Sequence, residues 1–212
     1  MANVKFLREV PLPPELTYLQ IFEALQQTED FFAYIRENAG INLSRFIQAN
    51  NFSGVVSNVF TAKLSDVSPY KSYHDQRYPD LMHTALNIGL EVKASNKPMK
   101  GGEGHNGHTG WHVIVCYELL ENGDIRFIHT EIADLIGFER GDFSDWKYQG
   151  SQRNINNSQR TETYITTNIG TSKLRDGSVY LDSDRVSISP GLFAARRRVE
   201  GLTIPGFSPF NG

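Results

Sequence analysis

Two carboxylates and a lysine in apolar surroundings are the residues here whose types and spacing suit chemistry. Asp80 closes the tripeptide Tyr78-Pro79-Asp80, and Leu90-Glu91-Val92-Lys93-Ala94 begins ten residues after Asp80. Leu90, Val92 and Ala94 alternate with Glu91 and Lys93. Side chains alternate faces along a β-strand, so the apolar set reads as the core face and Glu91 and Lys93 share the other, about 7 Å apart. The chemistry that fits is cleavage of a phosphodiester. It needs neutralisation of charge on the phosphate and an attacking hydroxide, and Mg²⁺ held by hard oxygen ligands supplies both. Two acids on adjacent strands, Asp80 and Glu91, with the Val92 carbonyl between Glu91 and Lys93, make such a ligand set. Lys93 beside them can orient the water and offset phosphate charge.

The elements that must position these residues are legible in outline. Pro11-Leu12-Pro13-Pro14 leads into a helical pattern from Glu15 to about Asn38, with Thr28-Glu29-Asp30 a possible restart and Asn38-Ala39-Gly40 a stop. A second helical region runs from Leu43 to about Leu64, with Ser44 a possible cap and Asn50-Asn51 a possible break. Leu81 to Ser95 reads as two strands joined by a turn between Thr84 and Gly89. Asn96 to Gly110 reads as a polar loop, Trp111 to Leu120 as a strand, Glu121-Asn122-Gly123-Asp124 as a hairpin turn and Ile125 to Ile132 as its partner strand. Gly141 to Gln159 reads as loop, Glu162 to Gly170 as a strand, Asp176-Gly177 as a turn and Val179-Tyr180-Leu181 as a short strand. Helices first, then a mostly antiparallel sheet with long loops, imply an α/β or α+β domain with a central mixed sheet flanked by helices.

Pro79-Asp80 followed by Glu91-Val92-Lys93 resembles the PD-(D/E)xK motif of the restriction-endonuclease-like nucleases. The helical region before the motif and the strands after it resemble that superfamily's core over roughly residues 43–132. The resemblance implies Asp80 and Glu91 as catalytic Mg²⁺ ligands, with Mn²⁺ a possible substitute, the Val92 carbonyl as a third ligand, and Lys93 as the water-positioning group. It further implies an endonuclease that cuts double-stranded DNA by direct attack of water, leaving a 5′-phosphate. A sequence-specific type II restriction enzyme, acting as a homodimer on a palindromic site, suits a small domain with extra loops. The organisation expected is one nuclease domain over 1–212, with a helical part at 1–66, the core, and a recognition elaboration at about 141–212. Some superfamily members add an acid from the helix before the motif. The segment Ser53 to Leu64 contains none, and Glu37, Asp66 and Asp75 are not placed for it.

Other residues compete for attention. Asp145-Trp146-Lys147 is the second acid-x-Lys in the chain, but no Pro-Asp precedes it at comparable spacing. His105, His108 and His112, with Glu118, suggest a cupin-like metal site. Cupins usually place ligands as His-x-His on one strand face, whereas this spacing is His-x-x-His in a glycine-rich stretch. On the nuclease reading, Lys97, Lys100, His105 and His108 lie beside the site and are candidates to touch DNA. Arg153 and Arg160, with Asn154, Asn156 and Asn157, carry side chains that pair with base edges. Arg196-Arg197-Arg198 is a candidate for phosphate contact or simply a solvated face. Trp111 and Trp146 read as packing anchors.

The totals set the bounds. The 212 residues are 39% hydrophobic and 21% charged, which excludes disordered and fibrous classes. No apolar run approaches the roughly 18 residues a membrane helix needs, and the first ten residues lack the apolar stretch of a signal peptide. The single cysteine, Cys116, lies in an apolar run and fits a reducing cytoplasm. The net charge of −3 is no footprint for nucleic acid, but it is uneven: residues 81–150 hold 6 basic and 10 acidic groups, and 151–212 hold 8 and 5. An acidic middle suits a metal and a basic end suits phosphates. A DNA-binding or interaction module without catalysis is the reading of a different class.

Overall fold

Ile21, Ala24, Leu25, Thr28 and Phe32 recur at helical spacing and are buried along one face of α1 (Tyr18–Ala39). Thr17 caps it in a reciprocal capping box with Gln20, and Gly40, at φ 65°, ends it. Thr28-Glu29-Asp30 does not restart the helix. The Thr28 hydroxyl donates back to the Ala24 carbonyl at 2.7 Å, and Glu29 reaches outward to accept the Ala2 and Phe127 amides at 2.6 and 2.7 Å. Helix α2 (Ala49–Val67) buries Phe52, Val56, Phe60 and Leu64, four residues apart. An Asn42-capped 3₁₀ turn, Leu43–Arg45, precedes it. The break therefore falls before Ala49, not at Asn50-Asn51. The computed structural model describes residues 1–73, 78–99, 103–105, 107–153, 160–189, 197–198 and 201–211.

The strands are β1 (Lys71–Ser72), β2 (Leu81–His83), β3 (Ile88–Ser95), β4 (Glu103–His105), β5 (Gly110–Leu119), β6 (Ile125–Leu135), β7 (Trp146–Arg153), β8 (Arg160–Thr166) and β9 (Ser178–Leu181). The main sheet has the order β1-β2-β3-β5-β6-β9, and a smaller antiparallel sheet has the order β4-β8-β7. In the main sheet only β3 and β5 run parallel. The fold is α+β with a mixed, largely antiparallel sheet, as the element pattern implies.

Three segments differ from the sequence expectation. The stretch 96–110 contains β4, and 141–159 contains β7. In β7 a register shift between Tyr148 and Gly150 interrupts the pairing with β8, which hides the two-residue period. Strand β8 ends at Thr166, and a helix, α3 (Asn168–Asp176), takes over with Thr167 as its cap. Gly170 in its first turn looks like a breaker. It is required there because a Cβ would collide with the Asp145 carbonyl.

The main sheet has two different faces. Leu90, Val92, Val113, Val115 and Ile132 join α1 and α2 in the larger core, with Phe52, Phe60 and Phe127 among its buried rings. Ile114, Cys116, Ala133 and Leu135 point the other way, into a second core with Trp146 and Leu174. By strand alternation, Glu91, Lys93 and His112 belong to this second face.

Candidate metal centre

The β2–β3 hairpin brings the predicted residues together. Leu81 pairs with Leu90, Met82 with Gly89 and His83 with Ile88, so Asp80 lies one residue beyond the paired region, next to Glu91. Gly89 lets the Pro79 ring lie against β3, where a Cβ would collide with it. β2 is only three residues long, so on that edge β3 has no strand beside it beyond Leu90 among the described residues. Asp80 Oδ2 accepts the Val92 amide at 2.8 Å, and the Ser57 hydroxyl of α2 donates to the Val92 carbonyl at 3.2 Å. The carbonyl expected as a third ligand thus already accepts one hydrogen bond.

The two carboxylates crowd one another. Asp80 is raised to about 6, first by burial, then by the charge of Glu91. The Val92 amide and Lys93 oppose the shift without cancelling it. Glu91 is 8% exposed; its Oε1 accepts from Lys93 Nζ, and its Oε2 is buried with no partner. An orphaned buried oxygen beside a second acid fits a divalent cation, which would relieve the repulsion and satisfy the oxygen. Among the described residues no group of three or more His, Cys, Asp and Glu side chains is arranged to hold a metal, so an ion at Asp80 and Glu91 would need backbone or solvent oxygens to complete its shell.

The surrounding residues close the site on one side. Tyr78 donates to the Thr109 carbonyl at 3.0 Å, and its ring lies 4.1 Å from that of His108. Burial first, then the charge of Glu91, raises the Tyr78 hydroxyl to about 12. His112 pairs with Glu91 across the parallel β3–β5 ladder. Its Nδ1 lies 2.8 Å from the Gly110 carbonyl, an atom that only accepts, so Nδ1 carries the proton. Burial pushes His112 down to about 4, and the ring packs 5.2 Å from that of Trp146.

The remaining candidates are dispersed. Lys97 is exposed beyond the end of β3. Lys100 lies outside the described residues, as do Asn154, Asn156, Asn157, Asp75 and Arg196. His105, Arg153 and Arg160 lie on β4, β7 and β8, with side chains outside the described set. His108 packs on Tyr78, His112 lies in β5, and Glu118 pairs with Arg185 at 3.3 Å, so His108, His112 and Glu118 form no shared cupin-like centre. Arg197 is buried against Asp176, while Arg198 is exposed. Trp146 is a packing anchor whose indole N–H donates to the His108 carbonyl at 3.2 Å, and Trp111 packs against the larger core.

Ser57 and the placement of His112 were not foreseen. Sequence periodicity puts His112 on the strand, but its partner on β3 depends on a parallel register set across a long crossover. No protein-family model, curated protein or solved structure matches the chain.

Proposed function

We propose that the protein is a Mg²⁺-dependent endonuclease that hydrolyses phosphodiester bonds of double-stranded DNA, with Asp80, Glu91 and Lys93 as its catalytic residues. The observation that carries this reading is the crowded pair Asp80 and Glu91, with the orphaned Glu91 Oε2 and with Lys93 on the same acid. A buried carboxylate held beside a partly buried one destabilises the fold unless a proton or cation lies between them. Asp80 and Glu91 would hold the ion, and the Val92 carbonyl has a second lone pair to offer beside the one Ser57 uses. Bound Mg²⁺ supplies charge neutralisation and polarises water. The Lys93 ammonium, anchored by Glu91, faces the incoming phosphate as a positive charge and hydrogen-bond donor.

The hairpin carrying Asp80 and Glu91-Val92-Lys93, with α2 packed beneath it, supports the likeness to a restriction-endonuclease core. On that likeness the small sheet β4-β8-β7, with Arg153 and Arg160 on its strands, is the DNA-recognition part, and a homodimer would match a palindromic site. The non-catalytic alternative draws support from the Ser57 bond to the Val92 carbonyl, since that atom is satisfied without an ion. Incubating supercoiled plasmid and genomic DNA with the protein separates the two. Cutting with Mg²⁺ or Mn²⁺ that stops in EDTA is expected, and Lys93→Ala should slow it by about 10²-fold. DNA left intact across divalent metals and many sequences would sink the enzyme reading.

A further inference from the structure

Strand β9 covers only part of β6: Ser178 pairs with Glu131, and the Ile132 amide donates to the Gly177 carbonyl at 2.9 Å. Beyond that point β6 runs on to Leu135 past a cavity of about 330 Å³. Trp111 and Asp134 are cross-strand partners on β5 and β6, and Ile132 lies two residues before Asp134, so the three side chains share one face. All three line the cavity, together with Leu202, Pro205 and Phe207. The segment carrying those last three is tied down: Arg8 donates to the Phe207 carbonyl at 3.2 Å, and Ser208 to Asp176 Oδ1 at 2.7 Å. The cavity is thus built into the fold, at the lower end of the roughly 300–1,000 Å³ of small-molecule sites.

The charges around it do not cancel. Arg197 pairs with Asp176, and both are buried. Lys173, on α3, lies 2.6 Å from Asp145 Oδ2. Burial raises the Asp134 carboxyl, the Lys173 charge opposes and the Asp145 charge adds to the shift. Two carboxylates thus share one ammonium, and no described side chain hydrogen-bonds or ion-pairs with Asp134. Asp134 is exposed, so one uncompensated negative charge stands at the rim of an apolar cavity, next to an indole ring. We propose that this cavity binds a small organic ammonium ion, its apolar body against Trp111 and Phe207 and its charge on the Asp134 carboxylate. The walls favour the body by removing it from water, and an ammonium group suits both a carboxylate and the face of an indole. A carboxylate ligand would meet Asp134 as a like charge, since Lys173 and Arg197 are already engaged. A neutral ligand would gain burial alone. No step of the phosphodiesterase chemistry involves these residues.

Titration with 2-phenylethylamine, 2-phenylethanol and 3-phenylpropanoate tests it, because these probes share a body and differ in charge. The chain has two tryptophans, so in ¹H–¹⁵N spectra one indole N–H signal reports on Trp111 at the cavity and the other on Trp146 in the second core. The amine should shift the Trp111 signal saturably and leave that of Trp146 in place. It should bind about 10-fold more tightly than the alcohol, the worth of one charge-assisted hydrogen bond, and the anion should bind more weakly still. Asp134→Asn, which keeps the shape and removes the charge, should cost the amine the same factor and leave the alcohol unchanged. Equal or tighter binding of the alcohol or the anion would overturn the proposal. So would an amine affinity untouched by Asp134→Asn, a shift confined to Trp146, or no saturable shift with the amine. The comparison of the probes uses the wild type alone, so it decides the matter even if the variant fails to fold.

Discussion

The chain contains two acid-x-Lys triplets, and the structure treats them in opposite ways. In Glu91-Val92-Lys93 the lysine turns back onto its own acid, and the second carboxylate oxygen is left buried without a partner. In Asp145-Trp146-Lys147 the lysine is exposed. Asp145 there takes its cation from α3, where Lys173 lies at 2.6 Å, and also accepts the Ile136 amide at 2.7 Å. Its backbone carbonyl accepts the Thr167 amide at 2.8 Å, tying β8 and α3 to the loop after β6. A carboxylate oxygen that takes two partners, as Asp145 Oδ2 does, ties elements together, whereas Glu91 Oε2 takes none among the described residues. The same three-letter pattern therefore serves two physical ends, and the hydrogen-bond accounting tells them apart.

The largest expected break in this comparison comes from the acids. Asp80→Ala or Glu91→Ala should lower DNA cleavage by about 10³-fold, the several kcal/mol of charge stabilisation lost with an ion ligand. Relief of crowding should offset part of what is lost when Asp80→Ala leaves the Val92 amide, or Glu91→Ala leaves Lys93, without its acceptor, so each should melt closer to the wild type than Asp145→Ala does. Asp145→Ala should do the reverse. Urea unfolding should show a loss of about 2–4 kcal/mol, since Lys173 and the Ile136 amide lose their acceptor, while the folded fraction cuts at the wild-type rate. Gly89→Ala should cost about 1–3 kcal/mol by driving the Pro79 ring off β3, with some loss of cleavage as Asp80 shifts.

A third acid sharpens the contrast. Glu131 is fully buried, with neither carboxylate oxygen hydrogen-bonded, and its carboxyl is raised to about 8 by burial, with Arg175 opposing. An acid whose folded-state value lies above the unfolded one favours folding at low pH. That contribution is complete below about 4.5 and lost as the pH rises through 8. Glu131→Gln should flatten the fall in stability over that range, measured by thermal melts, and leave cleavage unchanged. A drop in cleavage would show that an unsatisfied acid counts even when sealed in the core. The smallest effect belongs to Lys147→Ala, which should stay within about 0.5 kcal/mol in stability and leave the cleavage rate alone.

The grouping of the candidate residues was readable because it is local. Asp80, Glu91 and Lys93 lie on one hairpin, where the two-residue period sets the faces and the short turn sets the register. The helices were readable from their apolar stripes, with errors where polar residues served as something other than caps. Thr28 and Glu29 resemble a helix start in sequence but act as an internal back-bond and a tether to Ala2 and Phe127. β7 was hidden by its irregular pairing, and α3 by a glycine placed for close packing. His112 escaped because its neighbour is fixed by a crossover. The run Arg196-Arg197-Arg198 looked like one charged feature, yet Arg197 is an internal partner of Asp176 and Arg198 faces solvent.

The brevity of β2 has a consequence of its own. Because that strand is only three residues long, no described strand pairs with the Val92 main chain on that edge. Asp80 and Ser57 act as side-chain substitutes for the missing backbone. On the proposed reading, ion binding and strand extension compete for the same few atoms. A β2 lengthened by two residues ahead of Leu81 would make a more regular sheet and displace Asp80 from the Val92 amide. In this fold the gap in the hydrogen-bond ladder is what sets the Asp80–Glu91 corner apart from an ordinary structural hairpin.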